Sequence, residues 1–204
     1  MDPIPDCWPP DESARPVIEA PVFPLPAAFL FPGQVMALNV FEPRYRAMIE
    51  DCLDGPGRIV INAVESTAGR PPLREIAGLG EIARHEKLPD GRFTVWLGGI
   101  GRVRVREISS ERPYRMVQCE LVTEVDPSPS DEASLRDPLM SAIESRVASE
   151  IELGEDLPIG LLSDLLSQCI SLPTETLGSL FEEPNVTRRA ELALSAHQRF
   201  PKED

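Results

Sequence analysis

A turn and the strand after it are encoded by Leu88-Pro89-Asp90-Gly91-Arg92-Phe93-Thr94-Val95-Trp96-Leu97. Proline presets φ early in the turn, and Gly91 accepts the positive φ that the end of the turn requires. From Phe93 onward every second residue is large and apolar, as in a strand with one buried face. The stretch therefore predicts a hairpin that joins a strand near residues 80–86 to a strand at residues 92–97.

Further short strands are expected on both sides of this hairpin. Residues 57–64 form a β-branched run that begins at a glycine, residues 101–106 alternate between arginine and valine, and residues 114–122 alternate again. From residue 21 to residue 124 the pattern is therefore mostly β. Several short strands with mixed spacing predict a small barrel or a rolled sheet.

One helix interrupts the strands, at residues 42–55. Pro43 suits its first turn, and Gly55 suits the position after its last turn. Four residues at helical spacing predict a stripe that faces the core: Tyr45, Met48, Ile49 and Cys52. The early helix places the fold in the α+β class.

The pattern changes from strand to helix at a Pro- and Ser-rich run, residues 126–131, which has the composition of a hinge. The residues after it predict three or four helices. Their expected starts are Pro138, Pro158, Thr174 and Asn185, the last two as caps.

Three parts are expected along the chain. Residues 1–20 hold five prolines among acidic residues and are expected to run extended. Residues 21–124 are expected to form the rolled pseudo-barrel β domain with its early helix. Residues 131–204 are expected to form a C-terminal helical bundle.

Composition limits the classes of function. The chain has 204 residues, 42% of them hydrophobic, and a formal net charge of −14. It can bury a core, and its charge opposes attraction to nucleic acid and to anionic lipid. Its apolar stretches are broken by proline and polar residues, and its start lacks the pattern of a signal peptide. Four cysteines without a C-x-x-C pair predict free thiols in a cytoplasmic protein with no membrane span.

The sequence offers little for catalysis. It has no G-x-x-x-x-G-K-[ST] motif, which excludes a P-loop of that kind. Lys87 and Lys202 are its two lysines for a Ser–Lys dyad, and His85 and His197 its two histidines for a nucleophile–base pair. A structural role is favoured for both histidines, with His197 stabilised as a cation near the C-terminus of its helix. We therefore expect no enzymatic activity, no metal site and no cofactor.

One basic face is predicted. Arg102, Arg104 and Arg106 alternate with Val103 and Val105, so the arginines share one side of a strand. They predict contact with phosphate or RNA, or else a solvated strand face, which the acidic charge of the chain favours.

An apolar loop at Phe29-Leu30-Phe31-Pro32-Gly33 offers a different kind of site. One or two of its large side chains are expected at the surface as anchors for a partner chain, or else they plug the end of the barrel. Trp96 lies on the opposite face of its strand from Phe93 and Val95. It is expected either to stack on a ligand or to pack under the helical part.

Several blocks in a fixed order resemble the N-terminal domain of Lon protease. They are Phe23-Pro24-Leu25, Leu30-Phe31-Pro32-Gly33, Leu38-Asn39-Val40-Phe41-Glu42-Pro43-Arg44-Tyr45-Arg46, Gly78-Leu79-Gly80-Glu81-Ile82-Ala83, Leu88-Pro89-Asp90-Gly91 and Gly98-Gly99-Ile100-Gly101-Arg102-Val103-Arg104-Val105. The resemblance is good over residues 21–123 and looser around Leu172-Pro173, Leu180-Phe181 and Arg188-Arg189. It implies a PUA-like pseudo-barrel followed by a helical bundle, in a stand-alone bacterial member of the family.

The resemblance also implies a function. In Lon this region recognises and delivers protein substrates, and ATPase and Ser–Lys peptidase modules follow it. Residues 1–204 hold neither module, so the resemblance implies an adaptor that binds polypeptides without catalysis. The implied partners are unfolded or partly folded polypeptides, with a protease or chaperone system. Nucleic acid and membranes are not expected as partners, and the oligomeric state is left open.

The residues expected to bind a polypeptide are apolar anchors rimmed by arginines: Phe29, Phe31, Phe41, Arg44, Tyr45, Arg46 and Trp96. Arg44 and Arg46 alternatively form ion pairs with Glu42, Glu50 or Asp51. Two other functions stay open. One is a PUA-like nucleic-acid-binding module that uses the arginine face, and the other is a small-molecule sensor with a cleft between the β and helical parts.

Overall fold

The computed structural model describes residues 17–66, 68–147, 153–154 and 156–201. Most of the segment expected to run extended, residues 1–16, lies outside these ranges. The α+β class predicted from the sequence is confirmed by a mixed sheet and five helices. The chain divides into two compact units, Met1–Val122 and Thr123–Asp204.

The first unit has six strands and one helix among its described residues. In chain order they are β1 (Ile18–Pro26), β2 (Val35–Val40), α1 (Pro43–Leu53), β3 (Arg58–Val64), β4 (Ile76–Lys87), β5 (Phe93–Ile108) and β6 (Arg115–Leu121). The strands expected at residues 57–64 and 114–122 are thus present as β3 and β6.

β5 closes the sheet on itself. It pairs antiparallel with β2, β4 and β6, while β1 lies between β3, which runs parallel to it, and β6. The order β5–β4–β3–β1–β6 therefore returns to β5, and β2 extends the sheet beyond it. The rolled sheet predicted from the sequence is confirmed as this ring of five strands with a sixth at its side.

β5 is one strand of 16 residues where the sequence predicts two strands separated by glycines. Its ladder with β4 continues through that interval, where Gly99 faces Gly80 and Gly101 faces Leu79. Ile100 is thus the extra residue of a bulge, which bends the strand and inverts the alternation of its side chains. Each half of β5 can therefore contribute to a different core.

Two cores lie on opposite faces of the sheet. Neighbouring residues of β3 alternate between them, since Ile59 and Ile61 belong to one and Val60 to the other. α1 covers the first core with a buried stripe that matches the predicted one: Tyr45, Met48, Ile49 and Cys52. The helical spacing in the sequence therefore identified the buried face of α1 correctly.

The loop between β1 and β2 packs directly on the sheet. Leu30 and Phe31 are buried, and a Cβ on Gly78 would lie 2.3 Å from the carbonyl oxygen of Leu30. A Cβ on Gly99 would lie 2.1 Å from the carbonyl oxygen of Phe31. Glycine at these two positions lets the backbone of the loop rest on β4 and β5.

The turn between β4 and β5 forms as predicted. Gly91 has a φ of 82°, and its N–H donates to the carbonyl of Leu88 at 2.9 Å. The Leu88 N–H donates in turn to the carbonyl of Arg92 at 2.8 Å, which closes the hairpin.

The second unit has four helices in its described part: α2 (Pro129–Arg146), α3 (Ile159–Gln168), α4 (Thr174–Glu182) and α5 (Val186–Arg199). Apolar residues from all four form its core. As predicted, Asn185 caps α5, where its side-chain oxygen accepts from the N–H of Arg188 at 2.9 Å. No helix within the described ranges is both long and apolar enough to cross a membrane.

The helix start expected at Pro138 is wrong. α2 begins at Pro129, shortly after the β pattern ends at residue 124. The side chain of Ser128 caps this helix by accepting a hydrogen bond from the N–H of Asp131. Pro138 lies inside α2. The cap and the first-turn proline favour the start of the helix at Pro129. Pro138 has no backbone N–H, and the helix tolerates the loss of the one hydrogen bond that this N–H would donate.

Candidate functional site

An exposed apolar surface lies along β2. Val35 at its start is 63% exposed, and Phe41, one residue beyond its end, is 64% exposed. Ala37 between them is also exposed, whereas Leu38 and Val40 are buried in the core. β2 therefore presents an apolar face to the core, and on the solvent side it exposes Val35 and Ala37 beside the polar Asn39.

Trp96 on β5 completes this surface. It is the ladder partner of Ala37, so both side chains lie on the same side of the sheet. The indole is half-buried, and the guanidinium of Arg84, its neighbour on β4, lies 4.8 Å from the ring centroid. We call the set Val35, Ala37, Phe41 and Trp96 the β2 surface.

β2 is also an edge strand. It pairs with β5 on one side, and no strand within the described ranges pairs with its other side. Proline and charged side chains protect many edge strands from pairing with another chain. The residues of β2, Val35–Val40, include neither. The edge therefore offers backbone N–H and C=O groups beside an apolar surface.

Arg44 lies on the first turn of α1, three residues after Phe41. Its side chain is exposed, and its Nε donates to Glu42 at 2.9 Å. Its guanidinium also lies 4.5 Å from the centre of the Tyr45 ring. Of the ion pairs considered from the sequence, the structure contains the one between Arg44 and Glu42.

Tyr45 and Arg46 are turned away from the solvent. The Tyr45 ring packs 4.2 Å from the Phe23 ring, and burial raises the pKa of its phenol. The Arg46 guanidinium lies against the β4–β5 turn at Gly91, and its buried Nε has no hydrogen-bond partner among the residues that the structure describes. The expectation that Tyr45 is an accessible anchor is therefore wrong, because the helical stripe directs it into the core.

Phe29 and Phe31 are both buried, so the expectation of a surface anchor in this loop is wrong. The loop is drawn onto the sheet by its backbone contacts with the glycines of β4 and β5. The guanidinium of Arg74 lies 5.6 Å from the Phe29 ring, and that of Arg102 lies 5.7 Å from the Phe31 ring. These two phenylalanines stabilise the ring of strands and do not belong to the β2 surface.

The arginine face predicted on β5 is wrong as a common exposed surface. Arg102 is buried beneath Phe31. Arg104 and Arg106 are exposed, the first paired with Glu75 and the second hydrogen-bonded to Gln118. The alternation in the sequence shows which side of the strand the arginines share, but not that a loop covers one of them.

Two of the side chains considered for catalysis, Lys87 and His197, have structural partners in the described part of the chain. Lys87 donates to Glu50 at 2.7 Å, while Lys202 lies outside the described residues. His197 Nδ1 accepts from Arg146 at 2.7 Å, and burial together with Arg146 lowers the pKa of its imidazole. The cation expected at His197 is therefore wrong. Among residues the structure describes, no group of three or more His, Cys, Asp or Glu is placed to hold a metal ion.

Val35 and Ala37 are candidate site residues that the sequence analysis missed. Because four consecutive residues of β2 are apolar, Val35–Leu38, the strand lacks the alternation by which the other strands are recognised. The signal that could have found it is the run of four apolar residues, Val35–Leu38, that follows Pro32-Gly33-Gln34, because a short apolar run after a turn is typical of a strand.

Comparisons with known proteins agree with this architecture. A chain of a Lon N-terminal domain protein from Xanthomonas campestris superposes with a TM-score of 0.65 at 22% identity, covering 88% of this chain and 98% of that one. The N-terminal domain of a Mycobacterium avium complex Lon protease superposes with a TM-score of 0.67 at 19% identity, covering 89% and 98%. At these sequence identities, the two comparisons show that the chains share a fold.

Sequence relatives lead to the same family. A Lon protease from Xanthomonas oryzae pv. oryzae is 28% identical over 207 residues, which cover 93% of this chain and 24% of the relative. A Lon protease from Flavobacterium johnsoniae is 30% identical over 119 residues, covering 56% and 14%. The chain thus spans a quarter or less of the length of these relatives. A family model of the ATP-dependent protease La (LON) substrate-binding domain matches residues 19–199, so the chain belongs to that family.

Proposed function

We propose that the chain binds extended apolar segments of unfolded or partly folded polypeptides along β2, and that it serves as a non-catalytic adaptor. The observation that carries this proposal is the pair of exposed side chains, Val35 and Phe41, at the two ends of an unprotected edge strand. Exposed apolar surface beside an open edge is typical of a site that another chain covers.

The geometry supports a specific mode of binding. An extended segment would add to the sheet beside β2 and exchange backbone hydrogen bonds with its open edge. Side chains at every second position of that segment would then lie beside Val35 and Ala37, with Trp96 of β5 one strand further across the same face. Because backbone groups supply much of the binding, such a site accepts many sequences as long as they are extended and apolar.

Family membership supports the polypeptide as partner class. The matching model is that of a substrate-binding domain, and the relatives are named Lon protease. Phe41, Trp96 and Arg44 remain in the proposed site from the sequence analysis. Arg46 is left out because its guanidinium packs against the β4–β5 turn.

The test is a binding titration with a labelled, permanently unfolded protein, such as reduced and carboxymethylated α-lactalbumin, read by fluorescence anisotropy. Phe41→Ser should weaken binding about thirty-fold, since burying a phenylalanine contributes about 2 kcal/mol. Val35→Lys should weaken it by placing a charge on the edge. Leu192→Ser removes an exposed apolar side chain from α5 and is the matched control.

Unchanged affinity in both β2 variants, or an equal loss in Leu192→Ser, would contradict the proposal. The proposal would also be contradicted if a second copy of the chain already occupies the β2 edge. Sedimentation would then detect a dimer, and Val35→Lys would dissociate it. A second readout is the emission of Trp96, which becomes the sole tryptophan in a Trp8→Phe background. Its emission should shift to shorter wavelength when an apolar segment covers it.

A further inference from the structure

A second concave site lies in the first unit, and it shares Arg44 with the proposed polypeptide site. It is a pocket of about 250 Å³ between the start of α1, the end of β5 and the start of β6. Four arginines line it: Arg44, Arg70, Arg112 and Arg115. None of the described residues that line it is an Asp or a Glu. In a chain with a net charge of −14, this is a local concentration of positive charge.

Two of these arginines are held by one carboxylate. Arg115 donates from Nε and Nη2 to the two oxygens of Glu107, at 2.8 and 2.7 Å, and from Nη1 to the carbonyl of Pro71 at 2.9 Å. Arg70 donates to the same Glu107 at 2.6 Å. Glu107 therefore neutralises one of the two guanidinium groups and orients both.

The other two arginines each have their own carboxylate. Arg112 donates to the hydroxyl of Tyr114 at 2.6 Å and to Asp51. Arg44 donates to Glu42 at 2.9 Å. Four guanidinium groups thus share three carboxylates, which leaves the cluster with a net positive charge. Each guanidinium has five N–H donors, so several donors at each arginine remain for a ligand.

The electrostatic effect of the cluster is visible at Glu107. Hydrogen bonds from Arg115 and Arg70 lower the pKa of this carboxyl to about 2, against the desolvation that would raise it. Glu107 therefore stays ionised at neutral pH and keeps both guanidinium groups in place at the pocket.

We propose that the arginine pocket binds a doubly charged oxyanion, namely a phosphoryl group, either as free phosphate or as the phosphate of a small ester. Guanidinium groups match phosphate oxygens through paired N–H donors, and a dianion gains more than a carboxylate from several of them. The volume holds a phosphoryl group with a few further atoms, which suits a small molecule better than a folded partner.

The proposal is tested with two probes, inorganic phosphate and glycerol 3-phosphate, added to the full chain at constant ionic strength and followed by amide chemical shifts. Saturable shifts at residues around the pocket are expected with a Kd of a few mM or below, about the range for one small anion. Tighter binding of phosphate would indicate free phosphate as the ligand, and tighter binding of the ester a phosphorylated small molecule.

Variants separate the pocket from general charge. Arg44→Gln and Arg70→Gln remove exposed guanidinium groups and should each weaken binding about five-fold, the loss of a charge-assisted hydrogen bond. Arg92→Gln is the matched control, because Arg92 also follows its acidic partner, Asp90, by two residues and donates to it from Nε. Binding to this control should stay within about two-fold of the parent chain.

The charge of the ligand gives an independent readout. The second pKa of a phosphate ester is about 6, so the fraction of glycerol 3-phosphate that is a dianion falls about four-fold between about pH 7.5 and about pH 5.5. The apparent affinity of the chain for glycerol 3-phosphate should therefore fall about four-fold over this range. Sulfate stays a dianion over this range and should keep its affinity. No saturable binding of either phosphate probe by about 20 mM, or equal weakening in Arg92→Gln, would overturn the proposal.

Discussion

Arg189 of α5 and Asp164 of α3 form an ion pair inside the second unit, with 3.1 Å between Nε and Oδ1. The Arg189 side chain is 1% exposed and that of Asp164 is 3% exposed. Arg189 also donates to Glu124 at 2.9 Å and to the carbonyl of Glu183 at 2.7 Å. One buried guanidinium therefore connects two helices with the segment that leads into the second unit.

Removing this guanidinium should strongly destabilise the second unit. In Arg189→Met, Asp164 keeps its charge in a buried place without its cation, so we expect a loss of about 3–5 kcal/mol in the free energy of unfolding. The measurement is chemical denaturation followed by helical circular dichroism. The double variant Arg189→Met/Asp164→Leu should recover part of the loss, and a loss below about 1 kcal/mol in the single variant would contradict the prediction.

The close contact between the β1–β2 loop and the sheet predicts a strong position dependence for added methyl groups. Gly99→Ala would place a Cβ 2.1 Å from the Phe31 carbonyl oxygen, whereas at Gly98 the nearest atom is 3.9 Å away. We expect Gly99→Ala to lower the stability of the first unit by about 1–3 kcal/mol or more. Gly98→Ala should be neutral or slightly stabilising. The midpoints of thermal unfolding of the two variants are compared with that of the parent chain. Equal changes in both variants would contradict the prediction, because they would show that the loop can move away from the added methyl group.

His197 predicts a pH dependence for the second unit. Its pKa is lower in the folded chain than in the unfolded one, so the unfolded state takes up the proton first as the pH falls. The stability is therefore fully present above the ordinary histidine pKa of about 6.5 and decreases as the pH falls below that value. His197→Gln keeps an acceptor for Arg146 and removes the titration. Urea midpoints at about pH 7.5 and pH 5.5 should differ more in the parent chain than in this variant.

The cysteines should differ in reactivity. Burial raises the pKa values of Cys52 and Cys119 to about 12, and both thiols are buried. Cys169 is only partly buried. Because the thiolate is the reactive form and must be accessible, iodoacetamide should modify Cys169 well before the other two. Peptide mass spectrometry of the folded chain in a Cys7→Ser background measures the order in which the cysteines are modified. Modification of Cys119 at the same rate as Cys169 would contradict the prediction.

Local signals in the sequence identified the elements whose causes are local. The α1 stripe, the Leu88–Gly91 turn and the Asn185 cap each depend on residues within one or two turns of chain, and each was confirmed. The predicted start of α2 is wrong because Pro138 has the features of a first-turn residue, whereas Ser128 is a better cap and Pro129, nine residues before Pro138, is the first-turn proline.

Features set by distant parts of the chain escaped the sequence analysis. The bulge at Ile100 exists because β5 must serve two cores, and Arg102 is buried because the loop at Phe31 covers it. The arginine pocket brings Arg44 beside Arg112, although they are 68 positions apart. Residue spacing alone carries no information on such contacts, and the aromatic anchors expected at Phe29 and Phe31 failed for the same reason.

The pairing of β1 with β6 has a consequence for biosynthesis. Ile18 meets Cys119, so the first strand of the sheet waits for a partner made about a hundred residues later. While a ribosome extends the chain through β5, neither β1 nor β5 can complete its ladder, and the nascent chain displays two open edges. Closure becomes available only when β6 has left the exit tunnel. The strands of this domain therefore pass through a stage in which they are themselves extended segments with open edges, the kind of segment that the proposed site would bind.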